Sequence, residues 1–191
     1  MKDITIGFAI SGSFCTFDAA IGALETLCAA YACVIPILSE NAYSTDTRFG
    51  AAAEFRARVE HVCNTPIIHD IPGAEPIGPQ KLLDILVVAP CTGNTLSKIA
   101  HGITDTCVTM AAKAHLRNNR PLLIAVSSND ALGGSAVNLG TLLSRRNVYF
   151  VPFYQDDPVN KPTSLVANLA LLPDAVDAAL AGRQIQPIIS V

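Results

Sequence analysis

Tryptophan is absent from this chain of 191 residues, and charged side chains make up only 15% of it. No CxxC pair occurs. The six cysteines (Cys15, Cys28, Cys33, Cys63, Cys91 and Cys107) share no zinc-ligand spacing with His61, His69, His101 or His115, so no metal site is expected. Several of them lie in apolar runs, where Cys packs as a small core side chain, which fits a reduced, intracellular setting. Neither GxGxxG nor GxxxxGK[ST] is present, which excludes the two commonest nucleotide-binding fingerprints. No apolar run reaches membrane-spanning length, and the short run behind Lys2 and Asp3 lacks the h-region of a signal peptide. No membrane contact is expected. A net charge of −3 offers no basic face for a polyanion, so nucleic acid is not an expected partner.

The chain is instead rich in apolar residues, at 50%. Its length suits one well-filled α/β domain, and the apolar surplus suits buried parallel strands and contacts in a homo-oligomer. Five runs read as strands: residues 4–10, 33–38, 85–89, 122–126 and 148–151. Each is followed by polar residues and then helical periodicity. This alternation predicts a flavodoxin-like, doubly wound parallel sheet in a three-layer α/β/α single domain spanning 1–191. Leu165, Leu169, Leu172, Val176 and Leu180 predict a final helix over about 163–181, kinked or restarted at Pro173 and ended by Gly182. Tyr31 continues the apolar face of the first helix, which Thr16 or Asp18 is placed to cap.

Strand-end loops are where open α/β sheets hold ligands. The most informative one follows Ile85-Leu86-Val87-Val88-Ala89, which Pro90 is expected to end. Cys91, Thr92, Gly93, Asn94 and Thr95 then lead into a helix carrying Leu96, Ile99 and Ile103. A helix cap would need one polar residue, whereas this loop has several beside a glycine, which points to a ligand. Ser11-Gly12-Ser13 after the first strand is a second candidate, because its amides lead to a helix N-terminus suited to phosphate. The loop after the second strand carries Ser44, Thr45, Thr47 and Arg48. It reads equally as solvated surface or as phosphate donors. Asp105 is placed to cap the next helix. Ser127-Ser128-Asn129-Asp130 is a further polar loop, and Gln155-Asp156-Asp157-Pro158 reads as a turn, since adjacent carboxylates rarely converge on one ion.

Ser11-Gly12-Ser13 and Pro90-Cys91-Thr92-Gly93-Asn94-Thr95, followed by Leu96-Ser97-Lys98-Ile99-Ala100-His101-Gly102-Ile103-Thr104-Asp105, resemble the flavoprotein family of the flavin-dependent cysteine decarboxylases. In that family a Gly-Ser turn and a Pro-Ala-Ser-Ala-Asn-Thr loop build a flavin mononucleotide (FMN) pocket. The resemblance implies FMN contacts at Gly12, Ser13 and Cys15, at Ser44, Thr45 and Thr47, and at Pro90 through Thr95, with Asp105 beneath them. Pro76 stands where the decarboxylases carry a catalytic His, and Asn129 is what survives of their substrate clamp. The decarboxylase proton chemistry therefore has no carrier here. Residues 44–50, 74–79, 111–114 with 117–121, 129–133 and 151–158 are similar to one branch of the family, the second components of a two-component oxidoreductase. That likeness implies a dehydrogenase-like partner holding NAD(P), a small dicarboxylate substrate, and a trimer or dodecamer. Arg48, Lys98 and Asn129 are the substrate candidates, and Asn94 and Asn129 the catalytic ones.

Overall fold

The computed structural model describes residues 1–190. Strands β1 (Lys2–Ile10), β2 (Tyr31–Leu38), β3 (Ile85–Cys91), β4 (Leu122–Ser128) and β5 (Val148–Phe150) are all parallel, in the spatial order 2-1-3-4-5. Short strands β6 (Phe153–Tyr154) and β7 (Leu165–Ala167) form a hairpin, and β7 pairs antiparallel with the end of β4. Helices α1 (Phe17–Ala30), α2 (Glu40–Ser44), α3 (Ala52–Cys63), α4 (Ile71–Ala74), α5 (Gly93–His101), α6 (Cys107–Leu116), α7 (Ala136–Leu143) and α8 (Leu172–Leu180) complete the chain. This is the doubly wound, flavodoxin-like arrangement read from the alternating pattern.

The central strands are apolar at every position because both faces of the sheet are covered. All seven residues of β3 are buried. Ile6, Phe8, Ile10, Val87 and Leu123 pack against Leu24 and Leu27 of α1, Val59 of α3 and Val176 of α8. Ala9, Leu86, Val88 and Ile124 face Leu96 and Ile99 of α5, Val108 of α6 and Leu142 of α7. Each fully buried aliphatic side chain contributes about 1.5–3 kcal/mol. A Cβ on Gly7 would lie 2.4 Å from Leu83 Cδ1, so the buried Leu83 side chain would have to shift to admit one.

Several boundaries differ from the sequence reading, each for a tertiary reason. Pro90 does not end β3; the strand runs on to Cys91, and its pairing with β4 is irregular between Val88 and Cys91, so no ladder bond is lost to the missing N–H. Tyr31 opens β2 rather than closing α1, and its hydroxyl donates to Asp177 of α8 at 2.7 Å. Thr106, not Asp105, caps α6, exchanging bonds with Thr109. The final helix does not begin near 163. Leu165–Ala167 are drawn into the sheet by β4 and β6, and Pro173 sits in the first turn of α8, where its missing N–H costs nothing.

Candidate functional site

The turns after β1, β3 and β4 are joined to one another. The Ser11 hydroxyl donates to the Pro90 carbonyl at 2.8 Å and accepts the Thr92 N–H at 3.0 Å, with Ser11 itself only 1% exposed. Its N–H donates to the same carbonyl at 3.2 Å. The Ser13 and Ser127 hydroxyls share a hydrogen bond of 2.8 Å. One groove of about 610 Å³ opens above these strand ends. It collects Gly12, Ser13, Cys15, Arg48, Thr92, Gly93 and Asn129 from the residues singled out in the sequence. That volume lies inside the range of about 300–1,000 Å³ usual for small-molecule sites.

The two helix starts at this rim differ electrostatically. Thr92 caps α5 by accepting the Thr95 N–H at 3.2 Å. A Cβ on Gly93 would stand 2.6 Å from Ser128 Oγ and 2.7 Å from Asp130 Oδ1, so glycine lets α5 meet the β4 loop directly. Asp130 accepts the Ser128 hydroxyl at 2.5 Å and the Ser135 hydroxyl at 3.0 Å. Those bonds, the Ser128 one first, hold its carboxyl below the usual carboxylate range. A fixed negative charge already stands against the first residue of α5 and offsets its attraction for an anion.

The turn from Gly12 to Thr16 has no charged side chain of its own, and Asp18 in the first turn of α1 is paired with Arg58 at 2.8 Å. The Thr16 N–H and hydroxyl both go to the Ser13 carbonyl, while the N–H groups of Phe14 and Cys15 have no acceptor among the described residues. Arg48 lines the same groove, 4.9 Å from the Phe49 ring centroid, and enters none of the ion pairs among the described residues. An anionic end belongs here rather than at α5. Phe14, Phe49 and Val166 supply apolar surface in the same groove. The arrangement suits an elongated ligand with an anionic terminus and a flat, largely apolar body.

Other candidates lie elsewhere. Pro90, Cys91 and Thr95 are backing residues: Cys91 is fully buried, and burial pushes its thiol pKa well up, removing it from chemistry. Asn94 is exposed and does not line the groove. Ser44 is in α2 with its hydroxyl bonded to the Glu40 carbonyl at 2.7 Å, and it lines a separate cavity with Tyr43, His69 and Asp105. Thr45 and Thr47 line a smaller hollow of about 120 Å³ that shares Phe14, Cys15 and Phe49 with the main groove. Asp105 is not beneath the groove. It is exposed and paired with Lys98 at 2.8 Å, which holds its carboxyl below the usual range and keeps the Lys98 ammonium out of the groove. Lys98 lies in the last turn of α5 and Asp105 beyond the end of that helix, at the end away from Thr92.

The sequence reading missed Phe14, Thr16, Phe49, Asp156, Lys161, Ser164 and Val166 as groove residues. Four of them come from the β6–β7 hairpin and its loop, whose only sequence signal was the polar, proline-flanked run that reads as a turn.

Three comparisons with known proteins bear on this geometry. The model of the family described as Flavoprotein matches residues 1–167. The chain is 46% identical over 189 residues to the B subunit of dipicolinate synthase from Bacillus subtilis (strain 168), covering 99% of this chain and 94% of that protein. Among solved structures it is similar to the B subunit of dipicolinate synthase from Bacillus halodurans, with a TM-score of 0.92 and 40% identity over 100% of this chain and 97% of that one. It also shares its fold with Burkholderia xenovorans DmrB, solved in complex with FMN and described as a cubic protein cage for redox transfer. There the TM-score is 0.67 at 21% identity, over 94% and 96% of the two chains.

Proposed function

Since this chain belongs to the Flavoprotein family, we propose that it is the B subunit of a dipicolinate synthase, binding FMN in the groove above β1, β3 and β4. The reaction is the oxidation of a dihydrodipicolinate-type precursor to pyridine-2,6-dicarboxylate. It is shared with a dehydrogenase-like partner that holds NAD(P), in the mother-cell cytoplasm of a spore-forming bacterium. The observation that carries the reading is the junction of three strand-end turns around one groove, with free amides and Arg48 at one end.

The residues present fit the cofactor. The Gly12–Thr16 turn, with the Ser13 hydroxyl, holds the phosphate, and Arg48 adds charge nearby. Phe14, Phe49 and Val166 shield the ring system from water, while Thr92 and Asn129 present polar atoms along it. Bound flavin supplies a two-electron acceptor for hydride. The chain's own contribution is orientation and exclusion of water. No histidine lines the groove among the described residues, and Pro76 lies in a turn beside buried Ala74 and Ile77, so decarboxylation by this chain alone is disfavoured. Asn129 and Arg48 are the donors for a substrate carboxylate, and the chain self-associates through its exposed apolar side chains.

A visible spectrum tests the cofactor. Purified protein, as isolated or after incubation with FMN and desalting, is expected to be yellow with about one flavin per chain. A chain that stays colourless removes the flavin reading and leaves a protein that only completes its partner's site. Assaying dipicolinate formation by this chain, by its dehydrogenase-like partner and by their mixture then assigns the redox step.

A further inference from the structure

The groove contains a cation that neither the flavin reading nor the sequence assigns. Lys161, in the loop between β6 and β7, lines the groove from the β4 side, while Arg48 lines it from the β2 side. The Lys161 ammonium is 3.0 Å from Asp156, with half of the lysine side chain and 27% of the aspartate exposed. Asp156 also accepts the Ser164 hydroxyl at 2.6 Å, so it stays anchored whether or not Lys161 is its partner.

The loop carrying Lys161 is braced. Lys161 N–H donates to the Asp157 carbonyl at 2.8 Å, and Ser164 N–H donates to the Lys161 carbonyl at 3.0 Å. Gln155 Nε2 donates to the Pro162 carbonyl at 2.8 Å, and the Thr163 hydroxyl donates to the Asn129 carbonyl at 2.6 Å. The Leu132 N–H returns a bond of 2.9 Å to Thr163. Lys161 is therefore a cation on a fixed base beside the ligand groove, and little ordering cost remains when an anion reaches it. An ion pair this exposed is only weakly held, so it exchanges readily for a ligand carboxylate.

We infer that Lys161 is a carboxylate-binding residue of the groove, held by Asp156 in the free chain and handed to one carboxylate of a planar dicarboxylate on binding. Arg48, on the opposite side of the groove, is the cation for the other carboxylate. This role for Lys161 deepens the proposed function, because the dicarboxylate class rests on that reading.

Two substitutions at one ion pair separate recognition from structural support. Pyridine-2,6-dicarboxylate is titrated calorimetrically, in metal-free buffer, into the FMN-incubated chain, with pyridine-2-carboxylate as the one-carboxylate control. Lys161→Met is expected to weaken the diacid about tenfold or more, toward the affinity of the monoacid. Asp156→Asn removes the competing charge but keeps an acceptor for Ser164, and it is expected to tighten the diacid about threefold or more. A pair that only braces the loop predicts that both substitutions act in the same direction.

Opposite signs support the assignment. Effects of one sign, no effect from either change, or no diacid binding by the unaltered chain would overturn it. So would loss of FMN in Lys161→Met, which would make the lysine a cofactor contact. If the unaltered chain takes up no FMN and the signs are still opposite, the flavin reading falls and the Lys161 assignment stands.

Discussion

His115 on α6 is 1% exposed, and its Nε2 donates to the Pro121 carbonyl at 2.9 Å. Burial lowers its pKa to about 4, with the Arg120 charge adding to the effect and the Pro121 bond opposing it. The folded chain therefore holds this ring neutral, while the unfolded chain protonates near the ordinary value of 6.5. Between those values the unfolded state binds more protons, so stability is full above about pH 6.5 and falls as the pH drops toward 4, by roughly 3 kcal/mol. Urea unfolding of the unaltered chain and of His115→Gln at pH 7 and pH 4.5 checks this. The difference in stability between the two pH values should be smaller in the variant, and equal slopes would contradict the assignment. The sequence did not mark His115 out from the other three histidines, since burial is a property of the packed helix and not of the residue.

At the scale of elements, the separation of α5 from the β4 loop is set by Gly93. Where the flavin-dependent decarboxylases have alanine in this loop, the chain has glycine, and Ser128, Asp130 and Ser135 occupy the space a Cβ would need. Gly93→Ala is expected to destabilise the fold by about 1–3 kcal/mol and to reduce FMN retention. Adding Asp130→Ala should recover part of the loss, because the two sites touch and their effects are not additive. Denaturation midpoints for the two single variants and the double variant decide it, and strict additivity would show that the loops do not share this contact. The loop itself was legible as Pro90 through Thr95, but its neighbour Asp130 was not, because contact across two strand ends leaves no local pattern. The β6–β7 hairpin was hidden for a related reason. Leu165, Leu169 and Leu172 keep helical spacing, yet β4 offered an open edge at Ser127 and Ser128, and pairing there outweighed the local preference.

At the scale of the whole molecule, the chain keeps a good deal of apolar surface in water. Ile103, Leu132, Val137 and Leu143 are 43% to 69% exposed in the isolated chain. Such exposure is usual singly, but in a chain so poor in charge it points to burial between copies. Light scattering of purified protein is expected to return a multiple of 20.1 kDa, and a mass of one chain would refute self-association. The parallel sheet, its two covered faces and the three strand-end turns were all legible, because apolar strand runs and polar loops alternate along the chain. The sequence by itself thus determined the layers of the fold and the rim where the strand-end turns gather, through periodicity and the chemistry of turns. Only the tertiary structure decided which polar residues share a groove. It placed Lys98 and Asp105 away from the groove and brought in Lys161, whose distance along the chain from Gly12, Arg48 and Thr92 is closed only by long-range strand pairing.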